Sequence, residues 1–218
     1  MKYGQIAGNA SINAAIYRCF ECISIDDARR FVKKFREQPH DQDQVMHTFR
    51  ELILGAFLGS KGFKIKYDYT IGTKTPDWCI LDKKSVPRCI VELMNFHIDK
   101  ATEDDIKAQR QAKRIWVGWP GSNYDRLYNC LWDKACIYRA LVDKYQVPYV
   151  IAVFGEFTTN VDPEELQKCL FDEKSGLFEL YPAVSGVLYF EENIGQYSFT
   201  YTRNPNSIRE MELPSGVF

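Results

Sequence analysis

The sequence predicts an α/β sandwich in which a central mixed sheet is flanked by helices. Residues 43–59 form a helical stretch that is apolar on nearly all sides, which indicates a buried helix. Two short apolar runs, 77–82 and 88–95, are joined by a polar turn, as in an antiparallel hairpin. A long helical stretch at 123–145 precedes an apolar strand at 148–155, and this order indicates a crossover onto the sheet.

The predicted domain organisation is a small helical extension at 1–40, followed by one α/β domain at 41–218. In the extension, Ser24 or Asp26 is expected to cap a helix that contains Phe31. Strands are predicted at residues 63–69, 77–82, 88–95, 148–155, 185–191 and 196–202. Helices are predicted at residues 43–59, 101–113, 123–145 and 163–171, the last with Asp162 as its N-cap. The segment 115–120 is ambiguous.

Composition and charge are those of an ordinary globular protein, with 45% hydrophobic and 26% charged residues. The net charge of −1 provides no overall field that attracts nucleic acid, although a local basic cleft would not show in that sum. The seven cysteines, an odd number found mostly in apolar segments, are typical of buried thiols in a reducing compartment. Because the sequence shows no signal peptide and no membrane-spanning apolar run, we expect a cytoplasmic protein without a membrane partner. Whether it forms a homo-oligomer is left open.

Glu92 interrupts the run Cys89–Met94, which is otherwise apolar on both alternating faces. Such a run is typical of a strand in the centre of a sheet, covered on each side. An unpaired carboxylate is too costly to bury there, so Glu92 is expected to be protonated, to pair with a cation or to hold a metal. The alternative without chemistry is a buried salt bridge to Lys or Arg.

Two further carboxylates are candidates for the same site. Asp77 opens the strand before Glu92, and Glu51 lies on the buried helix that precedes both strands. Three such oxygen ligands suit Mg²⁺ or Mn²⁺, which bind phosphate oxygens and lower the pKa of an attacking water. Each also has an ordinary interpretation, because Asp77 is compatible with a turn and Glu51 with a solvated helix face. His47 lies one turn before Glu51 and either supports it or is polar surface.

Glu51 on the helix, Pro76–Asp77 on the second strand and Glu92 on the third resemble the PD-(D/E)XK nuclease superfamily, which includes restriction endonucleases and RecB-like exonucleases. The resemblance covers about residues 43–155. It implies a restriction-endonuclease-like fold, catalysis that involves Glu51, Asp77 and Glu92, and Mg²⁺ or Mn²⁺ as cofactor. It also implies that the backbone carbonyl of Leu93 assists Asp77 and Glu92 as metal ligands.

The sequence departs from that family at Met94, where the family has a lysine. Met94 can neither orient the attacking water nor offset charge on the phosphate. Lys134 is the proposed substitute, because it falls in the middle of the apolar stripe of the helix at 123–145. Lys134 and Tyr138 also resemble the helical Gln-x-x-x-Tyr signature of RecB-like nucleases, with Lys in place of Gln. The alternative is that the Lys134 stem packs on apolar surface while its ammonium reaches water.

A basic cluster lies between these motifs and is a candidate for binding the DNA backbone. It consists of Lys107, Arg110, Lys113 and Arg114. Together with Tyr138, its residues Lys107, Arg110 and Arg114 complete the predicted substrate-binding set. The leading hypothesis is therefore a metal-dependent nuclease that cuts DNA. The alternative is a nuclease fold kept as a non-catalytic binding or assembly module, in which Lys134 simply neutralises Glu92.

Overall fold

The computed structural model describes residues 10–37, 42–97, 100–114, 123–155, 161 and 163–218. The protein is a mixed α/β fold built on a seven-stranded sheet, whose strands lie in the order β1-β2-β3-β4-β5-β6-β7. The strands are β1 (Lys64–Tyr67), β2 (Trp78–Leu81), β3 (Pro87–Phe96), β4 (Tyr149–Gly155), β5 (Gly186–Asn193), β6 (Gln196–Arg203) and β7 (Gly216–Val217). The predicted fold class is confirmed at this level.

Pairing in the sheet is mixed, and its pattern follows from the connections. Strands β1, β2 and β3 form an antiparallel meander, because residues 68–77 and 82–86 join them without a crossover helix. Strands β3, β4 and β5 are parallel, and helices provide both crossovers between them. Strands β6 and β7 then add antiparallel partners at the far edge of the sheet.

Seven helices occur among the described residues. They are α1 (Ala10–Glu21), α2 (Ile25–Glu37), α3 (Gln42–Ser60), α4 (Lys100–Gln111), α5 (Tyr124–Tyr145), α6 (Pro163–Phe171) and α7 (Leu177–Leu180). Each predicted helix and strand is present close to its predicted bounds. Helix α7 and strand β7 were not predicted, and α1 was predicted only as part of a helical extension without its own bounds. The ambiguous segment 115–120 and the predicted N-cap Asp162 lie outside the described residues. No helix in the described part of the chain is long and apolar enough to cross a membrane.

Ser24, not Asp26, caps helix α2. Its hydroxyl accepts a hydrogen bond from the backbone N–H of Asp27 (3.1 Å) and donates one to the Asp27 carboxylate (2.7 Å). This reciprocal arrangement satisfies a backbone donor that the first helical turn would otherwise leave unpaired. It sets the start of α2, whose Phe31 packs on Tyr67 with ring centroids 4.1 Å apart.

The two faces of the sheet bury different sets of helices, and strand parity decides which side chains each receives. Val91 and Leu93 on β3 belong to the core formed with α1, α2 and α3. Ile90 and Met94 belong to the core formed with α5, α6 and α7. Because side chains alternate along a strand, Glu92 points toward α5, together with Ile90 and Met94.

Candidate active site

Asp77 and Glu92 form the centre of the candidate site, and we call them the acid pair. Trp78 pairs with Val91 in the β2–β3 ladder, so Asp77, one residue before Trp78, lies opposite Glu92. The backbone N–H of Asp77 donates to Glu92 Oε2 (3.3 Å), and that of Leu93 donates to Asp77 Oδ2 (2.7 Å). The predicted antiparallel hairpin is confirmed, and it places Asp77 and Glu92 opposite each other.

Helix α5 brings a lysine to the acid pair. Lys134 Nζ donates a hydrogen bond to Glu92 Oε1 at 2.9 Å, and the Lys134 side chain is 24% exposed. The predicted contact between Lys134 and the acids is confirmed. The backbone carbonyl of Lys134 accepts a hydrogen bond from the Tyr149 hydroxyl (2.9 Å), which ties this part of α5 to β4. The ammonium is therefore held at Glu92, and the Lys134 side chain as a whole is only partly buried.

Tyr138 lies one helical turn after Lys134 and also faces Glu92. Burial and then the negative charge of Glu92, to which the hydroxyl is hydrogen-bonded, raise the pKa of Tyr138. Its ring packs against Tyr149, with centroids 5.4 Å apart, and the residue is only 4% exposed. In this structure Tyr138 therefore supports Glu92 from within the core, and little of its surface is available to a substrate.

The acid pair makes the site electrostatically unfavourable when both carboxylates are ionised. Burial raises the pKa of Asp77 well above its ordinary value, and the charges of Glu92 and Glu51 raise it further. The hydrogen bond from the Leu93 N–H and the charge of Lys134 oppose this shift. One ammonium thus only partly offsets two carboxylates, so a further cation or a proton would stabilise the site.

Met94 occupies the position where the resemblance expects a lysine, and it is a core residue. It is 5% exposed and packs with Leu131 and Ala135 in the core on the α5 side of the sheet. The position of Met94 therefore provides no cation to the acid pair. The cation that contacts Glu92 is Lys134, from helix α5.

Glu51 does not join the acid pair, although the sequence places all three acids in one set. Helix α3 packs on the face of the sheet that carries Val91 and Leu93, whereas Glu92 faces α5. In the described residues, no group of three or more His, Cys, Asp or Glu side chains is arranged to hold a metal ion. Glu51 still acts on Asp77 through space, because its charge contributes to the raised pKa of Asp77.

Glu51 instead belongs to a second polar cluster between α2, α3 and the sheet. Its carboxylate contacts His47 Nε2 (3.0 Å), Lys34 Nζ (3.4 Å) and the Tyr67 hydroxyl. Burial raises the pKa of Glu51, but hydrogen bonds from His47 and Tyr67 and the charge of Lys34 outweigh it and lower the pKa overall. Asn95 Nδ2 contacts the other ring nitrogen of His47. His47 therefore supports Glu51, one of the two roles predicted for it.

Sequence reasoning missed Lys34 as a partner of Glu51. Lys34 lies in the polar part of a strongly amphipathic helix, and its spacing from Glu51 carries no periodic signal. The one signal that pointed to this cluster was His47, four residues before Glu51 on the same helix.

The predicted backbone-binding residues lie on α4 and in the turn that follows it. Lys107 is exposed and forms an ion pair with Glu103 at 2.6 Å. Arg114 is exposed, and its backbone N–H donates to the carbonyl of Gln109. The side chain of Arg110 lies outside the described residues. A role for these residues in substrate binding stays a prediction.

The chain matches no family model, no curated protein and no solved structure. The resemblance to PD-(D/E)XK nucleases therefore rests on the residues quoted above. The chemistry of the acid pair has to be argued from its own geometry.

The acid pair fits a hard divalent cation by its donor chemistry. Mg²⁺ is typically held by one or two carboxylates and keeps several waters, so Asp77 and Glu92 provide enough protein ligands. The charge repulsion that raises the pKa of Asp77 is the repulsion that a divalent cation relieves. The Leu93 N–H already points at Asp77, and the Leu93 carbonyl is the third ligand that the resemblance implies.

Proposed function

We propose that this protein is a metal-dependent nuclease of the PD-(D/E)XK type that hydrolyses DNA phosphodiester bonds. The observation that carries the proposal is the position of Lys134, whose ammonium lies 2.9 Å from Glu92 beside Asp77. A nuclease site that has lost its lysine at Met94 needs another cation at the acids, and α5 provides one.

The order of elements around the site supports the same function. Buried helix α3 is followed by the meander of β1, β2 and β3, then by crossover helices and the parallel strand β4. Glu92 lies on β3 of that meander and Asp77 immediately precedes the neighbouring strand β2, while Lys134 and Tyr138 lie on the crossover helix α5. These are the positions at which the resemblance places its motif residues.

Each residue has a role that its contacts support. Asp77 and Glu92, with the Leu93 carbonyl, would hold Mg²⁺ or Mn²⁺, which supplies charge stabilisation for the phosphate and a more acidic water. Lys134 orients the attacking water and offsets charge on the phosphate. Tyr138 holds the Glu92 carboxylate in place, and Glu51 adds negative charge behind Asp77.

The second candidate function is a non-catalytic binding module. The observation that favours it is that the acid pair already has partners, since Lys134 neutralises Glu92 and the Leu93 N–H binds Asp77. In that case Lys134 is a structural counter-ion, and its removal would leave a buried carboxylate unpaired at a cost of about 3–5 kcal/mol.

The deciding experiment is a cleavage assay on single- and double-stranded DNA with Mg²⁺ or Mn²⁺. We expect the wild-type protein to cut DNA and Lys134→Met to lose about 100-fold or more of that activity, because the group that positions water is gone. Lys144→Met is the matched control, since Lys144 is exposed near the end of the same helix.

Lys134→Arg separates chemistry from stability. It keeps a positive charge beside Glu92, so it should melt close to wild type while cleaving much more slowly. A wild-type protein that cuts neither form of DNA with either metal would overturn the proposal in favour of the binding module.

A further inference from the structure

A strongly basic surface lies at the turn between β2 and β3. Four exposed cations, Lys64, Lys83, Lys84 and Arg88, line a groove of about 560 Å³ together with Asp82. Phe63, Ile80, Leu81 and Met211 are the apolar residues of this groove. We call it the basic groove.

The turn that presents these cations is internally fixed. Asp82 Oδ1 accepts hydrogen bonds from the backbone N–H groups of Lys84 and Val86, each at 2.8 Å. Lys64 Nζ donates to the Ser85 hydroxyl at 2.8 Å, which ties β1 to the turn. The Asp82 carboxylate is therefore committed to the backbone, and the Lys83 and Lys84 side chains extend from a preorganised loop.

The positive charge of the basic groove is largely uncompensated. Among the ion pairs of the described residues, none involves Lys64, Lys83, Lys84 or Arg88. The acids that flank Met211, Glu210 and Glu212, are both paired with Arg203. In a chain whose net charge is −1, this concentration of charge marks a local surface that attracts anions.

The basic cluster that includes α4 is partly neutralised at Lys107. Lys107 on α4 is already paired with Glu103, so its charge is partly cancelled. The groove also lies on the same hairpin as the acid pair. Asp77 and Asp82 are the residues that flank β2, about 16 Å apart at the extended rise of about 3.3 Å per residue.

We propose that the basic groove binds the phosphate backbone of DNA and holds the substrate across the β2–β3 hairpin. The choice of DNA rests on the proposed function. A separation of about 16 Å corresponds to about five base pairs, so one duplex can contact the groove and reach the acid pair. Lys64, Lys83, Lys84 and Arg88 contact phosphates in this arrangement, and they affect binding without taking part in bond cleavage.

The test is binding of a fluorescein-labelled 20-base-pair duplex, measured by fluorescence anisotropy in EDTA over a series of salt concentrations. Lys83→Glu/Lys84→Glu/Arg88→Glu should bind at least 10-fold more weakly than wild type. If each of these three cations neutralises one phosphate, the slope of log K against log salt should fall by about 2.7, since each contact contributes about 0.9. The control Lys144→Glu/Lys168→Glu/Lys174→Glu makes the same charge change at exposed positions elsewhere and should stay within threefold of wild type.

The corresponding glutamine triple variant, Lys83→Gln/Lys84→Gln/Arg88→Gln, covers the case in which glutamates disturb the turn, and it should show the same reduction in slope. Equal effects of the groove and control variants, or no DNA binding by wild type at low salt, would overturn the inference. Groove-dependent binding without metal-dependent cleavage would support the groove and count against the nuclease proposal alone. Cleavage together with DNA binding that does not depend on the groove would support the nuclease proposal and count against the groove.

Discussion

The pKa of Asp77 is determined largely by the surroundings of its carboxyl group. Burial, then the charges of Glu92 and Glu51, raise its pKa well above the ordinary value. A raised pKa means that the folded state holds the proton more tightly than the unfolded state. The resulting stabilisation is present below the unfolded pKa of aspartate, about 3.9, and is lost as the pH rises through the folded pKa.

Asp77→Asn should therefore raise the melting temperature at pH 7.5 in EDTA, because asparagine cannot ionise beside Glu92 and can still accept from the Leu93 N–H. The difference from wild type should shrink as the pH is lowered toward 4. Thermal melts across this pH range measure it, with Asp104→Asn on the exposed side of α4 as control. A variant less stable than wild type at pH 7.5 would contradict the expected effect of the acid pair.

The residues of the candidate site were predictable to different degrees. Asp77 could be found from its place after Pro76 at the start of an apolar strand. Glu92 and Lys134 could be found because each interrupts an apolar pattern, and burial makes such an interruption costly unless a partner is present. Glu51 could be found in the same way as Glu92, because it interrupts a largely apolar helix. The face of the sheet on which that helix packs could not be predicted. Periodicity identifies the buried sides of a helix without saying which layer of the sheet receives it.

At the scale of elements, Trp78 joins β2 to α3. Its contacts fix how α3, which carries Glu51, packs on β2, which begins directly after Asp77. Trp78 Nε1 donates to the backbone carbonyl of Glu51 at 2.8 Å, and the Trp78 ring lies directly against Gly55. A Cβ on Gly55 would overlap that ring, so the glycine is needed for close packing of the helix on the sheet.

Gly55→Ala should destabilise the protein even though alanine favours helix by about 1 kcal/mol. Overpacking a tight core typically costs about 1–3 kcal/mol, and the overlap with Trp78 places this site at the upper end. Chemical denaturation measures the change. Combining Gly55→Ala with Trp78→Leu should cost less than the sum of the two single changes, and strict additivity would show that the ring is not the obstacle.

The elements that sequence patterns missed are the ones with the least local signal. Helix α7 has four residues and β7 has two, too few for a helical or alternating period to appear. The basic groove was missed for a different reason. Its cations come from β1, from the turn and from the start of β3, so they form a cluster only after the meander has folded.

For the whole molecule, the proposed metal site predicts that stability depends on divalent cations. A ligand that binds only the folded state at about 100 times its Kd adds about 2.7 kcal/mol. For a chain of this size that corresponds to about 5–10 °C in melting temperature. We therefore expect millimolar Mn²⁺ to raise the melting temperature of the wild-type protein.

Glu92→Gln should abolish the response to Mn²⁺, because the amide removes one of the two anionic ligands. Glu173→Gln, at an exposed turn, should respond like wild type. A wild-type melting temperature that is indifferent to Mn²⁺ would favour the binding module.

The stacking of Phe57 on Phe199 connects early and late parts of the chain. Their rings are 3.7 Å apart and nearly parallel, and Phe199 also stacks on Phe190. During synthesis on the ribosome, α3 leaves the exit tunnel long before β6 exists to cover it. The contact of α3 with β6 therefore joins the core later than the contacts of α3 with α1, α2 and β1, whose residues lie much nearer to α3 in the sequence.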